Sequence, residues 1–259
     1  MSSTTGPVTE QEIRETPVTG MSGRTPREAI EKPMTDRELE VIEIIDVSGS
    51  NAEQAAPDSP MTKQELITGA QPHLVAALEG DDSQAAREQS GGSSAKGGVR
   101  VFYANEPQPI EFEAGEDESD DPRDGGDHNT ANVQEKLAAI PWGGRTYLMP
   151  AIKAAEAAYQ AEFGDVPLRK RPAMEVLIVT DGKLNDPGPF EEWLAQADEL
   201  CVVAVAVIGY GRGHDEAVEH YQALARKNKF LTCAALTGVS NPAEIALDLR
   251  LLSGTAPSS

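Results

Sequence analysis

Leu39-Glu40-Val41-Ile42-Glu43-Ile44-Ile45-Asp46-Val47-Ser48-Gly49-Ser50 decides how the rest of the chain is read. Its largely apolar first part predicts a core strand over Glu38 to Asp46. An acid and two hydroxyls then alternate where the strand runs out, so the three side chains can turn toward one point. Two downstream segments are suited to the same point. One is Gly143-Gly144-Arg145-Thr146, with a hydroxyl after a glycine pair. The other is Val176-Leu177-Ile178-Val179-Thr180-Asp181-Gly182, with an acid directly after a second apolar strand.

Outward from that stretch, the chain divides by composition. Residues 1 to 37 are rich in Thr, Ser, Pro and Glu without sustained periodicity, and read as a disordered tail. Thr25-Pro26-Arg27-Glu28 allows one short helix there. Residues 38 to 252 form the expected domain, and 253 to 259 a second tail. Inside the domain, Asn51 to Pro60 reads as a loop. Thr62-Lys63-Gln64-Glu65 is a capping-box pattern that opens a helix through about Glu79, with a kink or restart at Pro72. Gly91-Gly92-Ser93-Ser94 reads as a flexible connector. Val99 to Tyr103 reads as a strand and Pro109 to Phe112 as its hairpin mate. The acidic segment 113–127 reads as a solvated loop.

From Asn132 onward the pattern is regular. Helices are expected at Asn132 to Ala139, Leu148 to Phe163, Pro189 to Glu199, His214 to Lys227 and Pro242 to Leu252. Strands are expected at Val176 to Val179, Val202 to Gly209 and Phe230 to Ala235. Alternation of buried apolar strands with helices predicts right-handed crossovers and a parallel sheet covered on both faces, an α/β fold.

With 22 Lys and Arg against 43 Asp and Glu, the 259-residue chain carries a formal net charge of -21. Such a charge disfavours nucleic acid phosphates and anionic membrane surfaces as general partners, and suits cations or basic partners. The longest apolar run, Cys201 to Ile208, is too short to span a bilayer. Met1 to Glu15 is polar with no apolar centre, so no secretory signal is expected there. Cys201 and Cys233 are expected as buried thiols, which point to a cytoplasmic setting, with a disulfide between neighbouring strands left open.

In an open parallel sheet, ligands bind beyond the carboxyl ends of the strands. Asp46 and Asp181 both follow strands and should reach that rim. Gly143 and Gly144 allow the backbone of Thr146 to approach it. Asp46, Ser48, Ser50, Thr146 and Asp181 thus offer two carboxylates and three hydroxyls. A hard ion such as Mg²⁺ takes oxygen ligands, usually only one or two carboxylates, and keeps waters that a further ligand can displace.

Asp-x-Ser-x-Ser after a strand, a later Thr after glycines and Thr-Asp-Gly after another strand resemble the metal-ion-dependent adhesion site of von Willebrand factor A domains. Thr146-Tyr147-Leu148-Met149-Pro150-Ala151-Ile152 and the stretch Val179 to Asp186 look most like the intracellular branch of copines and bacterial TerF-type tellurium-resistance proteins. The resemblance implies a three-layer, Rossmann-like α/β fold, its sheet mostly parallel with one antiparallel edge strand. It implies Mg²⁺, or Mn²⁺ or Ca²⁺, at Asp46, Ser48, Ser50, Thr146 and Asp181. It further implies a protein partner that supplies an Asp or Glu to the metal, and an adaptor role in a stress or tellurium-resistance-like system. Asn51 departs from the family, where an apolar residue is common, and Arg145 places a cation beside Thr146.

Plainer readings stand beside this one. Asp46, Ser48 and Ser50 alone would pass as turn formers. Gly209-Tyr210-Gly211-Arg212-Gly213 lacks the third glycine of a dinucleotide loop and reads as a tight turn. His73, His128, His214 and His220 share no ligand spacing. Trp142 and Trp193 read as packing anchors. For function, a non-catalytic binding module is the leading expectation. A structural subunit with a vestigial site is an alternative. So is a Mg²⁺-dependent phosphoryl-transfer enzyme with Asp46 as nucleophile and Lys183 nearby, although Ser48 stands where such a site wants a second acid.

Overall fold

A computed structural model describes residues 37–81, 99–105, 124–128, 133–140, 142–238 and 241–253, with side chains for all but 77–81 and 124–128. The expected helix at Thr25, the Gly91–Ser94 connector and the Pro109–Phe112 strand lie outside these residues. In chain order the elements are β1 (Leu39–Asp46), a 3₁₀ turn (Gly49–Ala52), α1 (Lys63–Asp81), β2 (Val99–Ala104), β3 (Asp124–His128), α2 (Val133–Ala138), α3 (Leu148–Phe163), β4 (Ala173–Thr180), α4 (Pro187–Leu194), β5 (Cys201–Ile208), α5 (Arg212–Ala225), β6 (Leu231–Leu236) and α6 (Pro242–Leu252).

The strands join in the order β3-β2-β1-β4-β5-β6. Five of them, β2, β1, β4, β5 and β6, are mutually parallel. The backbone of β3 runs antiparallel to β2 at one edge. β4 is buried along its whole length and β5 along all but its first residue. Only a sheet covered on both faces can use strands without alternating polar positions. One face packs Ile45, Val101, Leu177 and Ala204 against residues of α1, α2 and α6, among them Leu66, Leu74, Leu137 and Leu249. The other packs Ile42, Ile44, Val176 and Val205 against α3, α4 and α5 through Ile152, Ala155, Phe190 and Tyr221.

The chain builds outward from β1 to β2 and β3, then returns across to β4, which lies on the opposite side of β1. Crossovers after β1 and β4 therefore leave in opposite directions, which opens a crevice between their carboxyl ends. Ile45 pairs with Val179, so Asp46 and Thr180 reach the rim level with one another.

Several sequence expectations are corrected. Asp124–His128 is a strand where a solvated loop was expected through Asp127. An edge strand needs a partner on one side only, and charged residues are common there. α1 runs uninterrupted through Pro72. The missing N–H forfeits one helical bond, while buried Gln71, Leu74 and Val75 hold both sides of the proline in place. α4 ends at Leu194 instead of Glu199. Beyond it the Asp198 carboxylate accepts the amides of Leu200 and Cys201 at 2.8 and 3.0 Å, a local turn that competes with helix. The capping box is present in both directions: Thr62 N–H donates to Glu65 Oε2 at 2.8 Å, and Glu65 N–H to Thr62 Oγ1 at 3.1 Å.

Arg37 and Ser253, placed in the tails by sequence, are tied to the domain. Arg37 donates to the carbonyl oxygens of Leu168 and Arg171 and pairs with Glu199. Ser253 is fully buried and donates to the carbonyl oxygen of Arg250. Both cysteines are free thiols. Cys233 lies opposite Val205, four residues along β5 from Cys201, a separation of about 13 Å that no disulfide spans. Burial pushes both thiols up to about 12. No described helix is long and apolar enough to cross a membrane.

Candidate functional site

Asp46 is the last residue of β1 and has no exposed surface. Its Oδ1 accepts from the Ser48 amide at 2.9 Å and from the Thr146 hydroxyl at 3.1 Å. Its Oδ2 accepts from the Thr180 hydroxyl at 2.9 Å. Burial raises the carboxyl above the usual range, opposed by hydrogen bonds from Ser48 and Thr180 and reinforced by the nearby Asp181 charge. Among the described residues Asp46 forms no ion pair with a Lys, Arg or His.

Ser48 is buried and Ser50 partly exposed, with their hydroxyl oxygens 3.1 Å apart. The turn that carries them is held at both ends. Gly143 N–H donates to Val47 O at 2.8 Å and Gly49 N–H to Gly144 O at 3.1 Å, which clips the glycine pair onto the Asp46 loop. Gly144 sits at φ 74°, a conformation that side chains resist, and so swings Thr146 inward. Arg145 is exposed while Thr146 is buried.

Thr146 is also held from its far side. Its N–H donates to Asn185 Oδ1 at 3.0 Å, and Asn185 N–H donates to Thr146 O at 2.8 Å. The Asp186 carboxylate accepts the amides of Leu148 and Met149 at 3.1 and 2.9 Å, capping the first turn of α3. The loop after β4 thereby fixes the start of α3.

Asp181 is arranged differently. It is 3% exposed, and its Oδ1 accepts the Lys183 amide at 3.1 Å. Its Oδ2 accepts from the Lys63 ammonium at 2.8 Å. Lys63, the first residue of α1, is itself buried. Its Nζ also reaches Glu53 Oε2 at 3.1 Å, and Lys183 Nζ reaches the same oxygen at 2.7 Å. Lys183 first, then Lys63, holds the Glu53 carboxyl below its ordinary range, while Glu53 raises the Lys183 ammonium.

The five sequence candidates thus share one rim but not one kind of contact. Asp46, Ser48 and Thr146 touch directly, Ser50 joins through Ser48, and Asp181 turns its carboxylate to Lys63. Sequence reading missed Thr180, Asn185 and Asp186 as positioning groups, and gave Lys63 no role beyond a helix start. Thr180 had a legible signal, a hydroxyl one residue before Asp181 at the end of an apolar strand. Asn51 is buried, and its amide nitrogen donates to the Asp46 carbonyl oxygen at 2.8 Å, a reason for a polar residue at this position.

The donor set fits a hard cation in kind. It is all oxygen, and it contains a desolvated carboxylate, Asp46, without a protein counter-ion. Among the described residues no cluster of three or more His, Cys, Asp and Glu is placed to hold a metal. A cation here would therefore depend on the hydroxyls of Ser48, Ser50 and Thr146.

The remaining candidates read plainly. Gly209 and Gly211 have φ of 135° and 85° in the turn before α5, and His214 is buried with Nε2 3.2 Å from Val207 O. Trp193 packs in the core, stacked on Phe190, and donates to Glu156 Oε1 at 2.7 Å. Trp142 is partly buried against the opposite cluster.

No family model and no curated protein matches the chain in sequence. Solved structures do align with the chain. The SpRpn10 VWA domain aligns over 84% of this chain and 98% of its own length, with a TM-score of 0.51 at 12% identity. An aerotolerance-related membrane protein from Bacteroides fragilis aligns over 84% and 100%, with a TM-score of 0.47 at 11% identity. The manganese-loaded TRAP protein of Plasmodium vivax aligns over 84% and 73%, with a TM-score of 0.44 at 17% identity.

Proposed function

We propose that this chain, which has the fold of von Willebrand factor A domains, is a non-catalytic protein-binding module that works through a divalent ion. Asp46, Ser48, Ser50, Thr146 and Asp181 would hold Mg²⁺, or Mn²⁺ or Ca²⁺. The ion would supply an open coordination position for an Asp or Glu of a protein partner. The observation that carries this reading is Asp46: a fully buried carboxylate, ringed by hydroxyls, with no protein cation beside it among the described residues. Burying an ionised carboxylate unpaired is costly, and a bound cation removes that cost. The test is capture of protein partners with wild type and Asp46→Ala, with and without chelator. Capture that is lost in both the variant and the chelated sample supports the reading. Capture indifferent to both rejects it.

The same geometry favours binding over catalysis. Both Asp46 oxygens already accept hydrogen bonds and the side chain has no exposed surface, a poor arrangement for a nucleophile. Lys183 pairs with Glu53. A phosphatase screen with Mg²⁺ that found turnover lost in Asp46→Asn would restore the enzymatic alternative.

A second reading has its own observation. Lys63 already neutralises Asp181, as expected of a structural subunit whose metal site is vestigial. An assembly whose size is unchanged by chelator would favour it. Placement as a cytoplasmic adaptor in a stress or tellurium-resistance-like system rests on the resemblance of Thr146–Ile152 and Val179–Asp186 alone.

A further inference from the structure

The two carboxylates at the rim are unequally compensated. Asp46 faces hydroxyls and an amide, whereas Asp181 faces the buried Lys63 ammonium at 2.8 Å and, more loosely, the half-exposed Lys183 ammonium at 3.9 Å. Lys63 is an unfavourable place for that charge on two counts. It is the first residue of α1, where the helix dipole repels cations, and its side chain is only 5% exposed. The contact that offsets both is the 2.8 Å pair with Asp181, itself 1% exposed. The second partner, Glu53, is 58% exposed and lies 3.1 Å from the same ammonium. Glu53 follows the turn that carries Ser50, and its carbonyl oxygen accepts the Lys63 amide at 3.0 Å.

We propose that Lys63 is a tethered cation that competes with a divalent ion for Asp181, so that ion binding at the rim hands the ammonium over to Glu53. This rests on the metal-binding reading above. A divalent ion held by Asp181 together with Asp46, Ser48 and Thr146 would meet the Lys63 ammonium at the Asp181 carboxylate. Two cations on one carboxylate in a partly buried site repel one another. Glu53 is the acceptor within reach, and the backbone bond from Lys63 N–H to Glu53 O keeps α1 attached to the loop while the side chain moves. The consequence is a site that is neutralised in part without metal and binds metal more weakly than its oxygens alone would allow. The ion then reports its arrival to the start of α1 and the Glu53 loop.

The test is Mn²⁺ affinity by titration calorimetry for wild type, Lys63→Met, Glu53→Gln, the double variant and Asp46→Ala, each checked for fold by circular dichroism. Removing the ammonium is expected to tighten Mn²⁺ binding by about tenfold or more. Removing the alternative acceptor is expected to weaken it about threefold or more, and that loss should shrink in the Lys63→Met background because the two residues act as a pair. If Lys63→Met binds no tighter than wild type, or if Glu53→Gln costs the same with and without Lys63, the competition is wrong. Should Lys63→Met not fold, Glu53→Gln decides alone, since its site is exposed: unchanged or tighter binding overturns the proposal. Asp46→Ala separates the two levels. Unaltered Mn²⁺ binding in that variant rejects the metal site itself, whereas binding lost there but insensitive to Lys63 and Glu53 rejects only the competition.

Discussion

The Lys63 ammonium lies 2.8 Å from the Asp181 carboxylate, and both side chains are almost completely buried. Breaking such a pair from one side leaves an uncompensated charge. Lys63→Met should therefore lower stability in metal-free buffer by about 3 kcal/mol, and adding Asp181→Asn should recover much of that loss. Urea unfolding of the two single variants and the double variant measures it. Additive losses would show that the pair is not energetically coupled.

Asp46 carries the opposite imbalance, a buried negative charge with only neutral donors. Asp46→Asn should leave metal-free stability equal to wild type or higher at neutral pH, because the costly charge is gone. It should also abolish stabilisation by Mg²⁺. For wild type that stabilisation should reach about 2.7 kcal/mol when Mg²⁺ is a hundredfold above its Kd. Thermal melts across a Mg²⁺ series distinguish the two proteins.

Glu43 predicts a pH dependence that has nothing to do with the rim. It is fully buried in β1, and burial raises its carboxyl from 4.5 to about 7, partly opposed by a hydrogen bond from Gln71 Nε2 at 2.7 Å. Glu175 is buried on β4, and Tyr103 is close enough to feel the Glu43 charge. Because the folded protein holds the proton more tightly, this contribution to stability is complete below pH 4.5. It is lost as pH rises through about 7, amounting to about 3 kcal/mol in all. Glu43 Oε2 and Gln71 Oε1 have no hydrogen-bond partners, so a proton on the acid gives the amide oxygen a donor to accept. Glu43→Gln should flatten the stability profile between pH 4.5 and 7. An unchanged slope would place its origin elsewhere.

Gly182 follows Asp181 at φ 82°, and a Cβ there would lie 2.7 Å from the Ala217 Cβ on α5. Gly182→Ala should cost about 2 kcal/mol through strain and overlap together. Gly182→Ala with Ala217→Gly should recover the overlap but not the strain. Denaturant midpoints of the three proteins test this.

The sheet was largely legible in the sequence because its central strands are covered on both faces and so appear as unbroken apolar runs at Val176–Val179 and Cys201–Ile208. The rim residues were legible because Asp46 and Asp181 end such runs. β3 was not, since Asp124–His128 is acidic and glycine-rich and owes its strand to one row of backbone bonds with β2. Lys63 was hidden for another reason. The capping box around it already explained its place at a helix start, and its partner Asp181 is 118 residues away. Glu43 and Glu175 carried no signal of their own in the sequence, and only the packing of α1 and α6 over their face of the sheet reveals them as core residues.

The proposed function stands or falls with a divalent ion at the rim between β1 and β4. Anomalous diffraction from crystals grown with Mn²⁺ tests it most directly. One strong peak is expected in direct coordination, at about 2 Å, with oxygens drawn from Asp46, Ser48, Ser50, Thr146 and Asp181, and with the Lys63 ammonium moved from Asp181 toward Glu53. A rim without a peak under saturating Mn²⁺, with Lys63 still on Asp181, would contradict it.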